Sequence, residues 1–182
     1  MAARRKLTRA DILDATLDLA DESGLAAVTM RAVAERLGVT PMALYRHVGD
    51  KQGLLDGLVE RLLADQPVPD PELPWGDRLR QHGAAIRATA RRHPDVFGLL
   101  LARRAATPGA RRTRDSVYQA LRDGGVPEAD VPRVERLLST FVLGFAASEA
   151  GGRFPDGAVA DADFAYAEQW FGQLLPGGGP PP

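Results

Sequence analysis

Cysteine, histidine and lysine are scarce in this sequence. Its 182 residues include no cysteine, three histidines and only two lysines, Lys6 and Lys51. Without cysteine the protein has no disulfide, no thiolate metal ligand and no cysteine nucleophile. The histidines, His47, His82 and His93, are too few and too scattered to indicate a metal cage. We therefore expect neither a metal site nor a cofactor.

A long apolar run and a large net charge are also missing. No stretch reaches the ~20 apolar residues of a membrane span, and the charged N-terminus lacks the apolar segment of a signal peptide. These absences predict a soluble cytoplasmic protein without membrane contact. Because the formal net charge is −1, any surface that attracts nucleic acid has to come from local clusters of basic residues.

Catalytic motifs are absent as well. The sequence has no nucleophile elbow, no glycine-rich phosphate loop and no paired-histidine metal motif. Its carboxylates fall mostly on helix faces that are expected to be solvated. An enzyme is therefore not expected.

Helical periodicity, by contrast, runs through nearly the whole chain, and no segment has the pattern of a strand. Proline and glycine pairs punctuate the helix ends. The sequence thus predicts an all-α protein. The predicted helices span about 8–23, 29–37, 41–48, 51–65, 75–92, 94–105, 108–123, 128–150 and 162–175.

A proline-rich stretch divides the chain into two domains. Residues 66–74 hold four prolines in nine positions and cannot form a helix. We expect a helical domain at 8–65, this linker at 66–74 and a second helical domain at 75–175. A basic arm at 1–7 is either a frayed terminus or a grip on phosphates or the minor groove. The proline and glycine tail at 176–182 is expected to be disordered.

Two short helices around a tight turn form the most informative stretch, at 29–48. Thr29 is suited to cap the first helix, and Gly38 to end it in a left-handed conformation. Thr40 can cap the second helix, where Pro41 occupies the first position without losing a useful N–H. The pattern therefore predicts a helix-turn-helix.

The second helix of this motif buries little, only Leu44 and Val48. Its other side chains are free to face a partner, and a helix of this size suits a DNA major groove. Alternatively, the Tyr45 ring packs on the core and His47 caps a helix end. The expected DNA-contacting residues are Thr29, Arg31, Thr40, Pro41, Met42, Ala43, Tyr45, Arg46, His47 and Lys51.

With its flanking helices, this stretch resembles the helix-turn-helix domain of the tetracycline-repressor (TetR) family over residues 7–65. The resemblance implies that Tyr45, His47 and Lys51 contact the DNA backbone. It also implies a homodimeric repressor that binds a palindromic operator and is released by a small-molecule effector. The alternative is a helical scaffold that binds a ligand or protein without specific DNA binding. The residues that carry the resemblance are Gly24, Thr29, Ala34, Leu37, Gly38, Val39, Leu44, Tyr45, His47, Lys51, Leu54 and Leu55.

The last two predicted helices carry more apolar surface than one packing face requires. Two such helices from each of two subunits can form a four-helix interface, as the resemblance implies. The alternative is a core within a single chain. The expected interface residues are Leu138, Phe141, Val142, Phe145, Trp170, Phe171 and Leu174.

The resemblance also implies an effector pocket in the C-terminal domain, although aromatic residues at helical spacing are also ordinary core. In the tetracycline repressors a histidine on the helix that matches 94–105 helps to hold a magnesium-chelated drug. That helix has no histidine after its first turn here, so we expect a more apolar effector. The expected pocket residues are Trp75, His82, Ile86, Phe97, Leu100, Phe141 and Phe145.

Overall fold

The structure of the protein, a computed structural model, describes residues 6–103 and 108–175. These residues form ten α-helices, one short 3-10 helix at Leu25–Ala27 and no strand, which confirms the all-α prediction. The helices are α1 (Arg9–Ser23), α2 (Met30–Leu37), α3 (Pro41–Val48), α4 (Lys51–Ala64), α5 (Trp75–Arg92), α6 (Pro94–Phe97), α7 (Leu99–Ala102), α8 (Pro108–Asp123), α9 (Val131–Ala150) and α10 (Gly157–Leu174).

The described residues fall into two compact units. The N-terminal unit takes its residues from Met1–Ala64 and Asp95–Ala105, and the C-terminal unit from Asp65–Pro94 and Ala106–Pro182. The sequence placed 95–105 in the C-terminal domain, whereas α7 packs on α4 and so belongs to the N-terminal unit. Most of the expected arm and all of the expected tail lie outside the described residues.

Three helices differ from the prediction. The segment expected as one helix over 94–105 is two short helices, α6 and α7, with Gly98 between them. Helix α9 begins at Val131, three residues late, because a turn closed by Asp130 N–H on the Pro127 carbonyl precedes it. Helix α10 begins five residues early, since the Asp156 carboxylate accepts the Val159 N–H and caps it.

The N-terminal unit is built around α1 and α4. Thr8 and Asp11 start α1 with a reciprocal capping box, as the sequence predicts. Helices α1, α2, α3 and α4 then bury a shared apolar core. At Gly57, α4 comes so close to α1 that an added Cβ would lie 2.2 Å from Leu13 Cδ2. The fully buried core residues include Ile12, Val33, Leu44, Leu54 and Leu58.

The C-terminal unit packs α5 against α8 and α9, and α10 against α9. Leu121, Val126, Val131 and Leu175 form one buried cluster. The buried face of α5 is unusual because Arg78, His82 and Arg87 lie on it. None of the helices in the described ranges has the length and hydropathy to cross a membrane.

Candidate nucleic-acid interface

Helix α2 and the turn after it are held by local hydrogen bonds. Thr29 Oγ1 accepts the Ala32 N–H at 3.0 Å, which confirms the predicted N-cap. Gly38 adopts the predicted left-handed conformation, with φ 64° and ψ 33°. Because Val39 N–H then reaches the Ala34 carbonyl at 3.0 Å, the backbone turns sharply into α3.

Helix α3 has one buried and one exposed face. Leu44 and Val48, one turn apart, anchor it to the core as predicted. At about 100° per residue, Met42 and Arg46 lie on the opposite side of the helix from Leu44. Met42 is 65% exposed and Tyr45 is 47% exposed, although both have large apolar parts. A helix that displays such side chains while its anchor is fully buried is suited to enter a groove.

The start of α4 is fixed against the end of α3. Asp50 Oδ1 accepts the Gly53 N–H at 2.9 Å and caps α4. An added Cβ on Gly53 would lie 1.7 Å from the Val48 carbonyl oxygen, so only glycine allows this approach. The close contact holds Lys51, in the first turn of α4, next to the C-terminal end of α3.

Elsewhere in this unit, most of the described arginines form ion pairs with carboxylates. Arg36 donates to both carboxylate oxygens of Glu22 at 2.6 Å. Arg9 pairs with Glu60 at 2.7 Å, and Arg61 pairs with Asp14 at 2.5 Å.

Two cations next to the exposed face of α3 differ from these arginines. Arg46 and Lys51 are exposed and have no ion-pair partner among the residues described. The chain as a whole is nearly neutral, with a formal net charge of −1. Unpaired positive charge is nevertheless concentrated at α3 and the turn after it.

The remaining predicted contact residues fall on or beside the same surface. Thr40 and Pro41 are exposed at the start of α3, and Ala43 and His47 are half-buried on its flank. The prediction that the Thr40 side chain caps α3 is wrong, because only its carbonyl accepts, from Ala43 N–H at 2.9 Å. The Thr40 hydroxyl is thus left for another partner.

Arg31 projects from α2, and its charge is not free. Its side chain is 84% exposed, and its Nε donates to Glu35 Oε1 at 2.7 Å. This hydrogen bond raises the pKa of Arg31. A phosphate or base that approaches Arg31 competes with Glu35 for its charge, although the Nη groups of Arg31 have no acceptor among the described residues.

The expected dimer surface is only partly free within one chain. Phe141 lies 4.9 Å from Phe171 and 5.8 Å from Phe145, between ring centroids, so these aromatics already contact each other. Leu138 packs against the buried cluster of its own chain. Trp170 is exposed, as are Leu137 and Tyr166, which are not among the expected interface residues. Val142 is half-buried, and the side chain of Leu174 lies outside the described residues.

The expected pocket residues are spread over both units. Phe97 and Leu100 are buried in the N-terminal unit, so a pocket built from the C-terminal unit alone does not include them. Trp75 packs on the buried cluster, and Ile86 is half-buried on α5. His82 Nε2 lies 3.0 Å from Ser116 Oγ. Arg78, which the sequence analysis missed, is buried one turn before His82, and apolar periodicity gave no signal for it because this buried face of α5 carries charged and polar residues.

The fold and the exposed face of α3 together define a helix-turn-helix protein of the DNA-binding class. Two family models agree with this class. Bacterial regulatory proteins of the tetR family match residues 12–58, and the tetracyclin repressor-like C-terminal domain matches residues 68–174. The chain belongs to the tetR family of bacterial regulatory proteins. The curated relatives that match it include HTH-type transcriptional regulators and repressors.

Two curated relatives are about equally similar. An HTH-type transcriptional regulator of Saccharopolyspora erythraea is 31% identical over 153 residues, 84% of this chain and 65% of the relative. The class A tetracycline repressor from transposon 1721 of Escherichia coli is 31% identical over 150 residues, 81% of this chain and 69% of the repressor. The chain thus spans about two thirds of the length of these relatives.

Solved structures match over nearly their whole length. BioQ with its double-stranded DNA operator has a TM-score of 0.77 at 29% identity, with 91% of this chain and 96% of that chain covered. The TetR family protein ActR of Streptomyces coelicolor has a TM-score of 0.81 at 25% identity, with 91% and 95% covered.

Proposed function

We propose that the protein is a transcriptional repressor that binds a palindromic DNA operator as a homodimer and is released by a small-molecule effector. It acts in the cytoplasm, where it meets the DNA. The observation that carries the proposal is the exposed face of α3, with unpaired cations beside it and Leu44 and Val48 buried beneath it. BioQ, a relative in structure, has been solved with its operator DNA.

The contacts divide by chemistry into positioning and reading groups. Tyr45, His47 and Lys51 each carry an O–H or N–H that can donate to phosphate oxygens and set the register of the helix on the duplex. Met42 and Arg46 lie on the face farthest from the core, where a helix in the major groove meets base edges. Arg46 is suited to guanine, and Met42 to a thymine methyl.

The dimer forms through α9 and α10. Trp170, Tyr166 and Leu137 are large apolar side chains exposed on these helices, and a second copy of the chain covers them. A two-fold axis brings α9 and α10 of one subunit into contact with the same helices of the other. The dimer then carries two copies of α3, one from each subunit. Two such helices read half-sites about 34–36 Å apart in successive major grooves.

The effector acts by linkage. A ligand lowers operator affinity only if it binds better to a conformation in which the two copies of α3 are wrongly spaced. Coupling of ~1–3 kcal/mol, typical of such systems, lowers operator affinity about 5- to 150-fold. Structural relatives bind small molecules: ActR has been solved with (S)-DNPA and with actinorhodin, and a TetR variant of Acinetobacter baumannii with minocycline.

Selection from random duplex DNA tests the function. The full-length protein is incubated with a library of random-sequence duplexes, and the bound fragments are recovered and sequenced. We expect an inverted repeat whose half-sites lie about one helical turn apart. Affinity for the selected duplex is then measured across salt concentrations. Two results would contradict this expectation: bound fragments that share no sequence, and binding to the duplex that does not weaken as salt is added. Either result would favour the alternative function, a helical scaffold that binds a ligand or protein without specific DNA binding.

A further inference from the structure

A cleft of about 380 Å³ opens in the C-terminal unit between the proline-rich segment and the helices α5 and α8. Its volume falls within the ~300–1,000 Å³ that is typical of small-molecule sites. Val68, Pro69 and Pro71 supply an apolar wall. The cleft therefore has room and apolar surface for a small organic molecule.

The opposite wall is a polar stripe of α8. Arg112, Asp115, Ser116 and Gln119 line the cleft at i, i+3, i+4 and i+7, which is one face of the helix. Arg112 has no ion-pair partner within the described parts of the chain, although Asp115 is on the same wall. The helix thus presents the guanidinium of Arg112, the carboxylate of Asp115 and the hydroxyl of Ser116 to the same space, with no ion pair in the described ranges that holds Arg112.

Arg78 of α5 lines the cleft as well, and it is 4% exposed. Its Nη2 donates to Asp123 Oδ2, while its Nε is buried without an acceptor. An arginine has five N–H donors, so this buried cation is far from satisfied by one carboxylate. Asp123 is 41% exposed, and water screens its charge. Arg78 is therefore a buried cation whose donors remain underused.

Ser116 and His82 add a neutral polar group beside the two arginines. His82 Nε2 lies 3.0 Å from Ser116 Oγ. Burial and the nearby charge of Arg78 both lower the pKa of His82, so its imidazole is neutral at pH 7. A neutral imidazole orients the Ser116 hydroxyl without adding a third positive charge.

We infer that this cleft binds a small apolar carboxylic acid, whose carboxylate lies between Arg78 and Arg112 and whose hydrocarbon body packs on Val68, Pro69 and Pro71. A carboxylate accepts from guanidinium groups in paired hydrogen bonds, and Arg78 has N–H groups besides the one that Asp123 occupies. An organic cation is disfavoured because it would meet two arginines, whose charges outnumber the single carboxylate of Asp115 on the lining. The inference that this cleft is the effector site rests on the proposed function. The inference that it binds acids does not.

Calorimetric titration of the full-length protein without DNA tests the inference. The probes are 2-naphthoate and octanoate, each compared with its neutral carboxamide of the same shape. We expect both acids to bind, and each carboxamide to bind about 10-fold more weakly or worse, because hydrogen bonds to charged groups are the stronger ones. Arg112→Ala should weaken the binding of both acids about 10-fold and leave the binding of the carboxamides unchanged.

Arg114→Ala provides the matched control. Arg114 is exposed on the same helix but does not line the cleft, so its removal should not change the affinity for either acid. The inference is wrong if neither acid binds at millimolar concentration, if the carboxamides bind as tightly as the acids, or if the two arginine variants behave alike. These readouts contain no DNA, so they are independent of whether the operator is found.

Discussion

Arg87 donates from Nε and Nη2 to the two carboxylate oxygens of Glu149, at 2.8 and 3.0 Å. The two side chains are only 9% and 8% exposed. Arg87 also donates to Asp161 at 2.7 Å, and Arg91 bonds to both acids. The Arg87 guanidinium lies 4.5 Å from the centroid of the Phe164 ring. This network therefore ties α5, α9 and α10 together inside the C-terminal unit.

Removal of the Glu149 charge should destabilise that unit. In Glu149→Gln, Arg87 keeps Asp161 but loses its buried counter-charge. Breaking a buried pair in this way typically costs about 3–5 kcal/mol, and we expect the lower end because Asp161 remains. Thermal unfolding at pH 7 measures the effect. An unchanged melting temperature would show that the pair contributes nothing.

The same pair makes stability depend on pH. Burial raises the pKa of Glu149, but hydrogen bonds from Arg87 and Arg91 outweigh it and leave the pKa below its usual 4.5. A carboxyl whose pKa is depressed in the folded state stabilises the fold above its unfolded pKa. That stability is lost as the pH falls through the folded value. The gap in melting temperature between wild type and Glu149→Gln should therefore shrink as the pH falls below about 4.5.

Glu168 should show the opposite sign. Burial raises its pKa above 4.5, and it has no hydrogen-bond partner among the residues that the structure describes. Its carboxylate is thus charged at pH 7 at a cost to the folded state, and the cost disappears once the group is protonated. Glu168→Gln should raise the melting temperature at pH 7 and leave it unchanged near pH 3. A decrease at pH 7 would contradict this assignment.

Gly53→Ala should disturb the join between α3 and α4. The new Cβ would overlap the Val48 carbonyl oxygen, so the backbone has to move, at a cost of about 1–3 kcal/mol. The melting temperature and the operator affinity should both decrease. Gly98→Ala is the control in the same unit, because nothing lies within 4 Å of its added Cβ. Equal effects of the two substitutions would mean that the close approach is unimportant.

Lys51→Ala and Arg46→Ala should separate positioning from reading. Loss of the Lys51 phosphate contact weakens binding to all duplexes alike and lowers the salt slope by roughly one unit per lost contact. Loss of Arg46 relaxes the preference at one base pair by about 1–3 kcal/mol. Arg133→Ala, an exposed arginine in the other unit, is the control. Binding curves on a panel of operator variants distinguish the two patterns.

Trp170→Asp should prevent dimer formation. An aspartate in a covered apolar interface is an unpaired buried charge, which costs several kcal/mol. Val68→Asp changes an equally exposed valine in the proline-rich segment and should leave the dimer intact. Light scattering measures both masses. A dimeric Trp170→Asp protein would place the interface elsewhere.

Local sequence rules predicted the helix-turn-helix because its geometry depends on neighbours in sequence. The Thr29 cap, the left-handed Gly38 and the buried Leu44 all follow from short-range sterics and hydrogen bonding. The prediction of a Thr40 side-chain cap was wrong for a local reason as well, because only the Thr40 carbonyl accepts a hydrogen bond there.

Such local rules could not predict that Arg78 and Arg87 are buried. Apolar periodicity identifies a helix face by its hydrophobic residues, and the buried face of α5 carries Arg78, His82 and Arg87. Their partners, Asp123, Ser116 and Glu149, are 34 to 62 positions away in sequence. Only the fold shows that Glu149 pairs with Arg87 and Asp123 with Arg78. It also shows that the Nε of Arg78 is left without an acceptor from the described residues.

The discontinuous N-terminal unit also affects how the protein is made. When the ribosome has finished α4 at Ala64, about 40 further residues have to be translated before the segment that completes this unit, 95–105, has been made. At ~5–20 residues per second, that interval lasts roughly 2–8 seconds. During it the nascent chain exposes the part of α4 that α7 later covers, so the DNA-binding unit can reach its full stability only after α7 has left the exit tunnel.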